Sequence, residues 1–294
     1  MRLTTTTESQ LPPKIREKKR RKPILFFLKN LKLLWPLLNG IAISSTMASI
    51  TINGNSVPVK CNPNSPGLDL DAAIKSKLLT DWAASVKPGL DVREILVSSM
   101  DFFGPRVGFL KVETITFFQG VRVPGICFLR GGAVSILVIL ECEGTDYIIL
   151  TRQPRVPVGE SGLLELPAGM LDGSGAFAGV AAKELKEETG LELPAADLVD
   201  LTAAVNRLSG LKPVKGMLPS PGGCDEFLRL MLHKRAVTRA QLDAMRGKAT
   251  GVLEEGEVIK LEIVEYADAW KICADSKLLS SIFIYERLLA TGAL

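Results

Sequence analysis

Three glutamates, Glu184, Glu187 and Glu188, fall within five residues of a segment that is predicted to be helical. Spacings of three and four residues place the carboxylates on one arc of about 100° of a helix surface, where like charges repel each other. A divalent cation such as Mg²⁺ or Mn²⁺ would offset this repulsion, because it binds a few carboxylates together with the phosphate oxygens of a substrate. The pattern therefore indicates either a metal site for phosphate chemistry or a solvated charged face, and the helix alone does not decide between them.

The residues around the glutamates predict where this helix, residues 176–189, begins, ends and packs. Ser174 is a candidate N-cap, and Gly190 can end the helix in the left-handed conformation. Lys183 and Lys186 are predicted to lie at the edges of the acidic arc or behind it, where they do not neutralise it. The predicted packing face consists of Ala178, Ala181, Ala182 and Leu185.

The longer stretch "LPAGMLDGSGAFAGVAAKELKEETGL", residues 166–191, resembles the Nudix box. That box reads Gly, five residues, Glu, seven residues, Arg-Glu, an aliphatic residue, any residue, Glu-Glu, any residue, Gly and an aliphatic residue. Gly169 and Glu184 occupy their positions without a gap, and Gly190 is the last glycine of the pattern. Two positions depart from it, since Gly175 replaces the first Glu and Lys183 replaces the Arg.

The resemblance implies hydrolysis of a pyrophosphate bond in a nucleoside diphosphate that is linked to another group. It implies that Glu184 and Glu188 bind the metal, Mg²⁺ or Mn²⁺, with Glu187 as a further ligand or catalytic support. The carbonyl of Ala168 is expected to be another metal ligand, and Gly169 lets the backbone approach closely at that point. The replacements Gly175 and Lys183 leave open a reduced or altered activity.

A second stretch, "PSPGGCDEFLRL" at 219–230, resembles the loop of Nudix ADP-ribose and ADP-sugar pyrophosphatases. Pro and Gly residues predict a sharply bent loop ahead of a strand, and an ordinary turn is the alternative. By resemblance, Glu226 is the candidate catalytic base and Asp225 the second choice. Gly222 and Gly223 are candidate substrate contacts.

Two arginines upstream of the box, Arg152 and Arg155 in "TRQPRVPVGESGLLELPAG", are candidate substrate-binding residues. Guanidinium groups suit phosphate oxygens, and the related enzymes carry an Arg here that approaches the substrate. Either residue could instead be a surface arginine at the end of a strand. Glu165, just before "LPAG", either contributes to the site or caps the strand.

The elements that must position these residues indicate an α/β fold. Strands are predicted in the hairpin 132–155 and at 197–205, 226–235 and 257–266, with helices at 176–189, 238–247 and 275–289. We therefore predict a Nudix α/β/α sandwich with a mixed sheet in residues 126–294. A small α+β subdomain is predicted at 47–125, with short strands and one amphipathic stretch at 69–86.

Residues 1–46 are predicted to be a targeting or disordered leader. They contain "KIREKKRRK" and an apolar segment that is interrupted by Lys29, Asn30, Lys32 and Pro36 before it reaches the length of a membrane span. The basic, hydroxylated and nearly acid-free composition is typical of an organelle transit peptide, so we expect a plastid location. The alternative is that Met47 is the working start and the protein is cytoplasmic.

Composition excludes several other classes of function. The net charge of +4 is exceeded by the seven Lys and Arg of residues 14–22, so no nucleic-acid partner is expected. Five scattered cysteines without a CxxC pair argue against a disulfide framework and favour a reducing compartment. His233, the only histidine, is predicted to have a structural role at the surface.

Over residues 95–294 the order of motifs is similar to that of the ADP-sugar diphosphatases of plant plastids within the Nudix family. The resemblance implies that ADP-glucose or ADP-ribose is split into AMP and a sugar phosphate by a homodimer, with residues 121–132, "VRVPGICFLRGG", at the interface. One alternative is a Nudix hydrolase for another nucleoside diphosphate derivative. The other is a module that binds ADP-ribose without cleaving it.

Overall fold

The computed structural model of the protein describes residues 48–171, 176–252 and 256–294, which belong to one compact unit. The predicted leader, residues 1–46, and the alternative start at Met47 lie outside these residues. Within the described part of the chain, no helix is long and apolar enough to cross a membrane.

The N-terminal part folds around a sheet of its own. Its elements are β1 (Ser49–Ile52), β2 (Asn55–Cys61), α1 (Leu70–Lys75), α2 (Lys77–Ser85), β3 (Leu90–Phe103), β4 (Arg106–Phe118), β5 (Val121–Val123) and β6 (Ile126–Leu129). The strands lie in the order β1-β2-β3-β4-β5, and β6 also pairs with β4. β2 and β3 are parallel, so the chain crosses over through α1 and α2, whose apolar residues pack on the sheet.

Two details of this part differ from the prediction. The strands β3 and β4 are long rather than short, with 14 and 13 residues. The amphipathic stretch at 69–86 forms two helices because Ser76 has an extended backbone, ends α1 and caps α2 by accepting the Leu79 N–H. Register shifts between Val92 and Glu94, between Val97 and Ser99 and between Asp101 and Phe102 interrupt the alternation of buried and exposed side chains along β3, so its full length is not evident from the sequence.

The second sheet carries the rest of the chain. Its strands, in the described residues, are β7 (Ala133–Cys142), β8 (Thr145–Arg155), β9 (Glu160–Glu165), β10 (Ala168–Met170), β11 (Val199–Asp200), β12 (Leu228–Ala236), β13 (Ala249–Thr250) and β14 (Ile259–Glu265). They lie in the order β11-β12-β7-β8-β14-β13, with β10 beside β7 and β9 beside β8. The β7–β12 pair is parallel and the other pairs are antiparallel, so the sheet is mixed.

Helices cover both faces of this sheet, as predicted for an α/β/α sandwich. The helices are α3 (Phe177–Thr189), α4 (Leu201–Ser209), α5 (Arg239–Met245), α6 (Tyr266–Ile272) and α7 (Ser276–Ala290). Apolar residues of α3 and α5 pack on one face, and those of α4, α6 and α7 pack on the other. β7 is buried almost along its whole length because both of its faces are covered, which accounts for its continuous apolar run. The predicted fold class is confirmed.

The prediction of a strand at 197–205 is largely wrong. Only Val199–Asp200 is a strand, and the following residues form α4. The side chain of Asp200 accepts the Ala203 N–H and caps the helix, while Leu201 and Ala204 pack in the core. A short apolar run fits helix and strand periods about equally well, and the cap decides here.

Other predictions need smaller adjustments. β6 pairs with β4, so residues 126–129 lie in the N-terminal sheet although the predicted boundary placed them after it. His233 is buried rather than at the surface, with its Nδ1 atom 3.3 Å from the Asp197 carbonyl oxygen. All five cysteines are free thiols.

Candidate active site

The acidic helix α3 lies against strand β10, and this contact builds the site. Ala168 donates its backbone N–H to Oε2 of Glu188 at 3.0 Å. β10 itself is held by antiparallel pairing with β7, in which Ala168 lies opposite Ser135. On the helix, Ala181 and Leu185 are buried in the core, so the acidic arc faces β10 while the apolar stripe packs. The strand and the helix thus hold the predicted metal-binding residues together.

Gly169 is required by the close approach of Glu184. A Cβ atom built on Gly169 would lie only 1.9 Å from Cδ of Glu184. The backbone of Gly169 is not in the left-handed region, so space rather than conformational freedom selects glycine at this position. The predicted close approach at Gly169 therefore has a definite partner, the Glu184 carboxyl group.

We expect Gly169→Ala to displace the Glu184 carboxylate and to lower kcat/KM by about 100-fold, since small misplacements at a reacting centre have effects of this size. Ala168→Gly, which changes the neighbouring side chain without adding a group near Glu184, is the matched control and should retain most activity. Steady-state kinetics of both variants would check this. Near-normal activity of Gly169→Ala would show that the Glu184 position is not critical.

Glu188 is a buried carboxylate beside a second one. Its side chain lies 4% exposed, and burial raises its pKa to about 8. The Ala168 N–H opposes this rise, whereas the charge of Glu184 adds to it. The negative charges of the Glu184 and Glu188 carboxylates repel each other. A divalent cation, which prefers oxygen ligands, would neutralise both. The residues present therefore fit a Mg²⁺ or Mn²⁺ ion.

Glu187 forms an ion pair with a lysine of its own helix. Lys183 lies four residues earlier, with its Nζ atom 3.3 Å from Oε2 of Glu187, so one lysine does partly neutralise the acidic arc, contrary to the prediction. Lys186 pairs with Glu192 instead. Among the described residues, no three Asp, Glu, His or Cys side chains come close enough to form a metal-binding group. The structure therefore brings Glu188 to Ala168 and Glu184 to Gly169, while Glu187 pairs with Lys183.

The N-cap of α3 is not the predicted Ser174. Gly175 and Ser174 lie outside the described residues. The helix begins at Phe177, and its N-cap residue is Ala176. Gly190 does end the helix in the left-handed conformation, as predicted, and its N–H binds the Lys186 carbonyl.

Asp225 organises the loop before β12. Its Oδ1 atom accepts the backbone N–H groups of Arg130 at 2.8 Å and Gly131 at 3.1 Å. Burial raises the pKa of the Asp225 carboxyl, against the effect of these two donors. Because its oxygen atoms bind the backbone between β6 and β7, Asp225 anchors the loop to the sheet.

Gly222 and Gly223 lie in an exposed turn of the same loop. The Ser220 carbonyl accepts the N–H groups of Gly223 and Cys224, and the Gly223 carbonyl accepts the Phe128 N–H at 2.8 Å. A Cβ atom on either glycine would meet no other atom within 4 Å. The predicted contact of these glycines with a substrate stays a prediction.

Glu226 has a partner that sequence reasoning missed. Nη2 of Arg130 lies 3.4 Å from Oε1 of Glu226, and the Arg130 guanidinium also lies over the Phe109 ring of β4. Its Nε atom is buried, with no hydrogen-bond partner among the described residues. The only signal in the sequence was an Arg directly before Gly131 and Gly132. Arg130 and Glu226 are 96 positions apart in the sequence, so no local pattern indicates their contact.

The two candidate arginines have different partners. Arg155 donates from Nε to Oε1 of the buried Glu165 at 2.6 Å, and its charge acts on Glu188. Arg152 donates to Glu262 on β14 and to the Gly162 carbonyl on β9, so it ties three strands together. The geometry favours Arg155 over Arg152 as the arginine of the site.

A cleft of about 980 Å³ borders this region, with Arg130 in its wall, whereas Glu184, Glu188, Glu226 and Arg155 are not among its lining residues. Its wall includes Met170, two residues after Ala168, and Asp225 of the loop, and it reaches the N-terminal helices at Trp82. Lys77 in the wall pairs with Asp81 at 2.8 Å. Further basic side chains line the cleft, namely Lys75, Lys87, Arg106, Arg130, Lys212 and Lys215. Such a cleft favours a ligand with several negative charges and an apolar or aromatic part.

Comparison with known proteins finds relatives that match large parts of this chain. A family model described as the NUDIX domain matches residues 129–280. Nudix hydrolase 14, chloroplastic, of Arabidopsis thaliana is 38% identical over 265 residues, which cover 83% of each chain. The ADP-ribose pyrophosphatase of Bacillus subtilis is 28% identical over 181 residues, 62% of this chain and 83% of that protein.

Among solved structures, a crystal structure of an ADP compounds hydrolase is 18% identical, covers 72% of this chain and 100% of its own, and has a TM-score of 0.48. The family model spans more than half of this chain, and the match to the Arabidopsis protein covers most of both chains. On these grounds, and with the box residues arranged around β10, the resemblance is confirmed and the chain belongs to the Nudix hydrolase family.

Proposed function

We propose that the protein hydrolyses the pyrophosphate bond of ADP-sugars, ADP-glucose or ADP-ribose, to AMP and a sugar phosphate with Mg²⁺ or Mn²⁺. The observation that carries the proposal is the placement of Glu184 and Glu188 against Gly169 and Ala168 of β10. This arrangement keeps the half-buried Glu184 carboxylate beside the buried Glu188 carboxylate, where a cation and a phosphate chain would stabilise both charges.

The residues of α3 and β10 would hold the cation. Glu184, Glu188 and the Ala168 carbonyl are the proposed ligands, and Glu187, at the exposed edge, is a ligand or its support. When bound, the cation neutralises phosphate oxygens and acidifies a water molecule. Ala168 fixes the Glu188 carboxylate through its N–H, and Gly169 leaves room for the Glu184 carboxyl group.

Glu226 is the proposed general base, which takes a proton from the attacking water. Arg130 lies near its carboxylate and keeps it oriented, while Asp225 anchors the loop through the backbone on the other side. Arg155 is proposed to donate to the phosphate oxygens, since its Nε atom is engaged by Glu165 and its side chain is 40% exposed.

The cleft supports a nucleotide sugar as substrate. Its basic lining suits a diphosphate, and Trp82, Phe177 and Phe227 in its wall offer surfaces for an adenine ring. The Bacillus subtilis relative is described as an ADP-ribose pyrophosphatase, which agrees with an ADP-linked substrate.

The test is to measure AMP release from ADP-glucose, ADP-ribose and UDP-glucose in Mg²⁺ or Mn²⁺ and to rank the three by kcat/KM. The proposal expects both ADP-sugars to exceed UDP-glucose by at least about tenfold. A preference for UDP-glucose would indicate that the substrate is another nucleoside diphosphate derivative rather than an ADP-sugar. Binding of ADP-ribose by calorimetry without any AMP release would instead indicate the non-catalytic module.

We further propose a plastid location, which rests on the composition of residues 1–46 and on the relative that is described as chloroplastic. Fusion of residues 1–46 to a fluorescent protein in plant cells would test this. Import into plastids is expected, whereas a diffuse cytoplasmic signal would support the start at Met47.

A homodimer is also proposed, with residues 121–132 at the interface. In this segment the side chains of Val121 and Ile126 are 67% and 61% exposed, and Phe128 is exposed as well. Exposed apolar side chains close together on short edge strands favour contact with another chain.

We expect Ile126→Glu to weaken the dimer by about 100-fold, because it places a charge in an apolar contact. Sedimentation velocity would measure the change, and Leu279→Glu on the exposed side of α7 is the matched control that should leave the assembly unchanged. Unaltered sedimentation of Ile126→Glu would exclude this surface as the interface.

A further inference from the structure

A buried chain of charges joins α7 to the end of β9. Lys277, in the first turn of α7, has its Nζ atom 2.9 Å from Oε2 of Glu165 and 3.1 Å from Oδ1 of Asp275. The three side chains are only 14%, 3% and 6% exposed. Burial alone would lower the pKa of Lys277, but the charges of Asp275 and Glu165 outweigh it and raise the pKa. Lys277 is therefore charged at neutral pH.

The same chain of charges reaches Arg155. The second oxygen of Glu165, Oε1, accepts the Arg155 Nε–H at 2.6 Å. Glu165 is thus shared, with one oxygen for Lys277 and the other for Arg155. Burial alone would raise the pKa of Glu165, but Arg155 and Lys277 hold the pKa below its ordinary value. Glu165 is therefore ionised, and each of its two oxygen atoms accepts a hydrogen bond from a basic side chain.

Lys277 is not needed to begin the helix or to fasten it to the sheet. Asp275 already caps α7 by accepting the Lys277 N–H at 3.0 Å, and it also accepts the Leu166 N–H at 3.0 Å. Burying an ammonium group has a desolvation cost that an apolar side chain of similar size avoids. The buried ion pair with Glu165 is therefore the contact through which any further role of Lys277 must act.

We propose that Lys277 is a positioning residue, which acts through Glu165 to orient the guanidinium group of Arg155 toward the phosphate oxygens of the substrate. With Lys277 on Oε2 of Glu165, the other oxygen, Oε1, is the one that accepts from Arg155, through Nε. The Nη donors of Arg155 then stay available for the substrate. The inference rests on the proposed function, in which Arg155 contacts the pyrophosphate.

Loss of Lys277 should change how the two oxygen atoms of Glu165 are shared between its partners. In Lys277→Met both oxygens of Glu165 are available to Arg155, and a guanidinium group binds a carboxylate best with two donors. Arg155 should then turn toward Glu165 and lose donors for the substrate. The effect should appear mainly as a higher KM for ADP-ribose, because a phosphate contact is already made in the bound ground state.

The test is a double-mutant cycle on kcat/KM with ADP-ribose, using Lys277→Met and Arg155→Met. We expect Lys277→Met to cost about tenfold in the wild type and less than about twofold when Arg155 is already Met, with Lys277→Arg recovering most of the loss. Lys234→Met is the matched control, since Lys234 contacts Glu141 and Asp146 at the opposite end of β7. Equal losses in both backgrounds would overturn the proposal.

A second measurement does not depend on hydrolysis. The Nε–H resonance of Arg155 in ¹⁵N NMR, assigned from its absence in Arg155→Met, should shift in Lys277→Met but not in Lys234→Met. An unchanged resonance would overturn the proposal, even if the wild type proved inactive on ADP-sugars. Lys277→Gln, which removes the charge but keeps a donor, is judged by the same criteria if Lys277→Met does not fold.

Discussion

Glu188→Gln is expected to lower kcat with ADP-ribose by at least about 100-fold and to leave the protein folded. The replacement keeps the size of the side chain and an oxygen that can accept the Ala168 N–H, so the contact between α3 and β10 persists. It removes the charge that would bind the cation. Loss of a group that only supports a metal ligand typically lowers metal affinity or activity by about 10–100-fold, so loss of a ligand should cost at least as much.

The same variant should be more stable than the wild type when divalent cations are absent. Glu188 is buried, and Glu184 beside it makes its ionisation still less favourable. A neutral amide removes both penalties. Melting temperatures in EDTA should therefore be higher for Glu188→Gln, and added Mg²⁺ should stabilise the wild type more than the variant.

Glu192→Gln is the matched control for both measurements. Glu192 follows the same helix and pairs with Lys186, but it is exposed and outside the site. It should keep full activity and nearly the same melting temperature. If Glu188→Gln behaved like Glu192→Gln, the proposed cation site between α3 and β10 would be wrong.

The second large effect is expected at the loop before β12, where two adjacent acids have different partners. Glu226→Gln should lower kcat by about 10²–10³-fold with little change in KM or stability, because a general base contributes to the chemical step. Asp225→Asn should instead destabilise the protein by about 1–2 kcal/mol, since its charged oxygen atoms bind the N–H groups of Arg130 and Gly131.

Steady-state kinetics and urea denaturation of the two variants would separate these roles. The account predicts that Glu226→Gln loses catalysis and keeps its stability, and that Asp225→Asn loses stability by more than Glu226→Gln does. The reverse pattern would make Asp225 the better candidate for the base, which was the second choice from the sequence.

Local spacing predicted the part of the site that lies on one helix and its preceding strand. The positions of Glu184, Glu188, Ala168 and Gly169 follow from the helix period and from a box of fixed length, so the sequence alone indicates that they meet. Glu187 shows the limit of this reasoning, because its pairing with Lys183 depends on side-chain conformations that spacing does not determine.

Contacts between distant segments could not be predicted in this way. Arg130 meets Glu226, and Lys277 meets Glu165, across 96 and 112 residues. The choice between Arg152 and Arg155 likewise depends on Glu262 of a later strand. The mistaken strand at 197–205 arose from a short apolar run, where the Asp200 cap and the packing of α4 decide the structure.

The central claim is that this chain splits a pyrophosphate bond with water and a divalent cation. Phosphorus NMR of ADP-ribose incubated with the full chain, Mg²⁺ and ¹⁸O-labelled water tests it most directly. We expect equal amounts of AMP and ribose 5-phosphate, with ¹⁸O in the phosphate of one of them and no products in EDTA. Intact ADP-ribose in Mg²⁺ and in Mn²⁺, or the same products in EDTA, would contradict it.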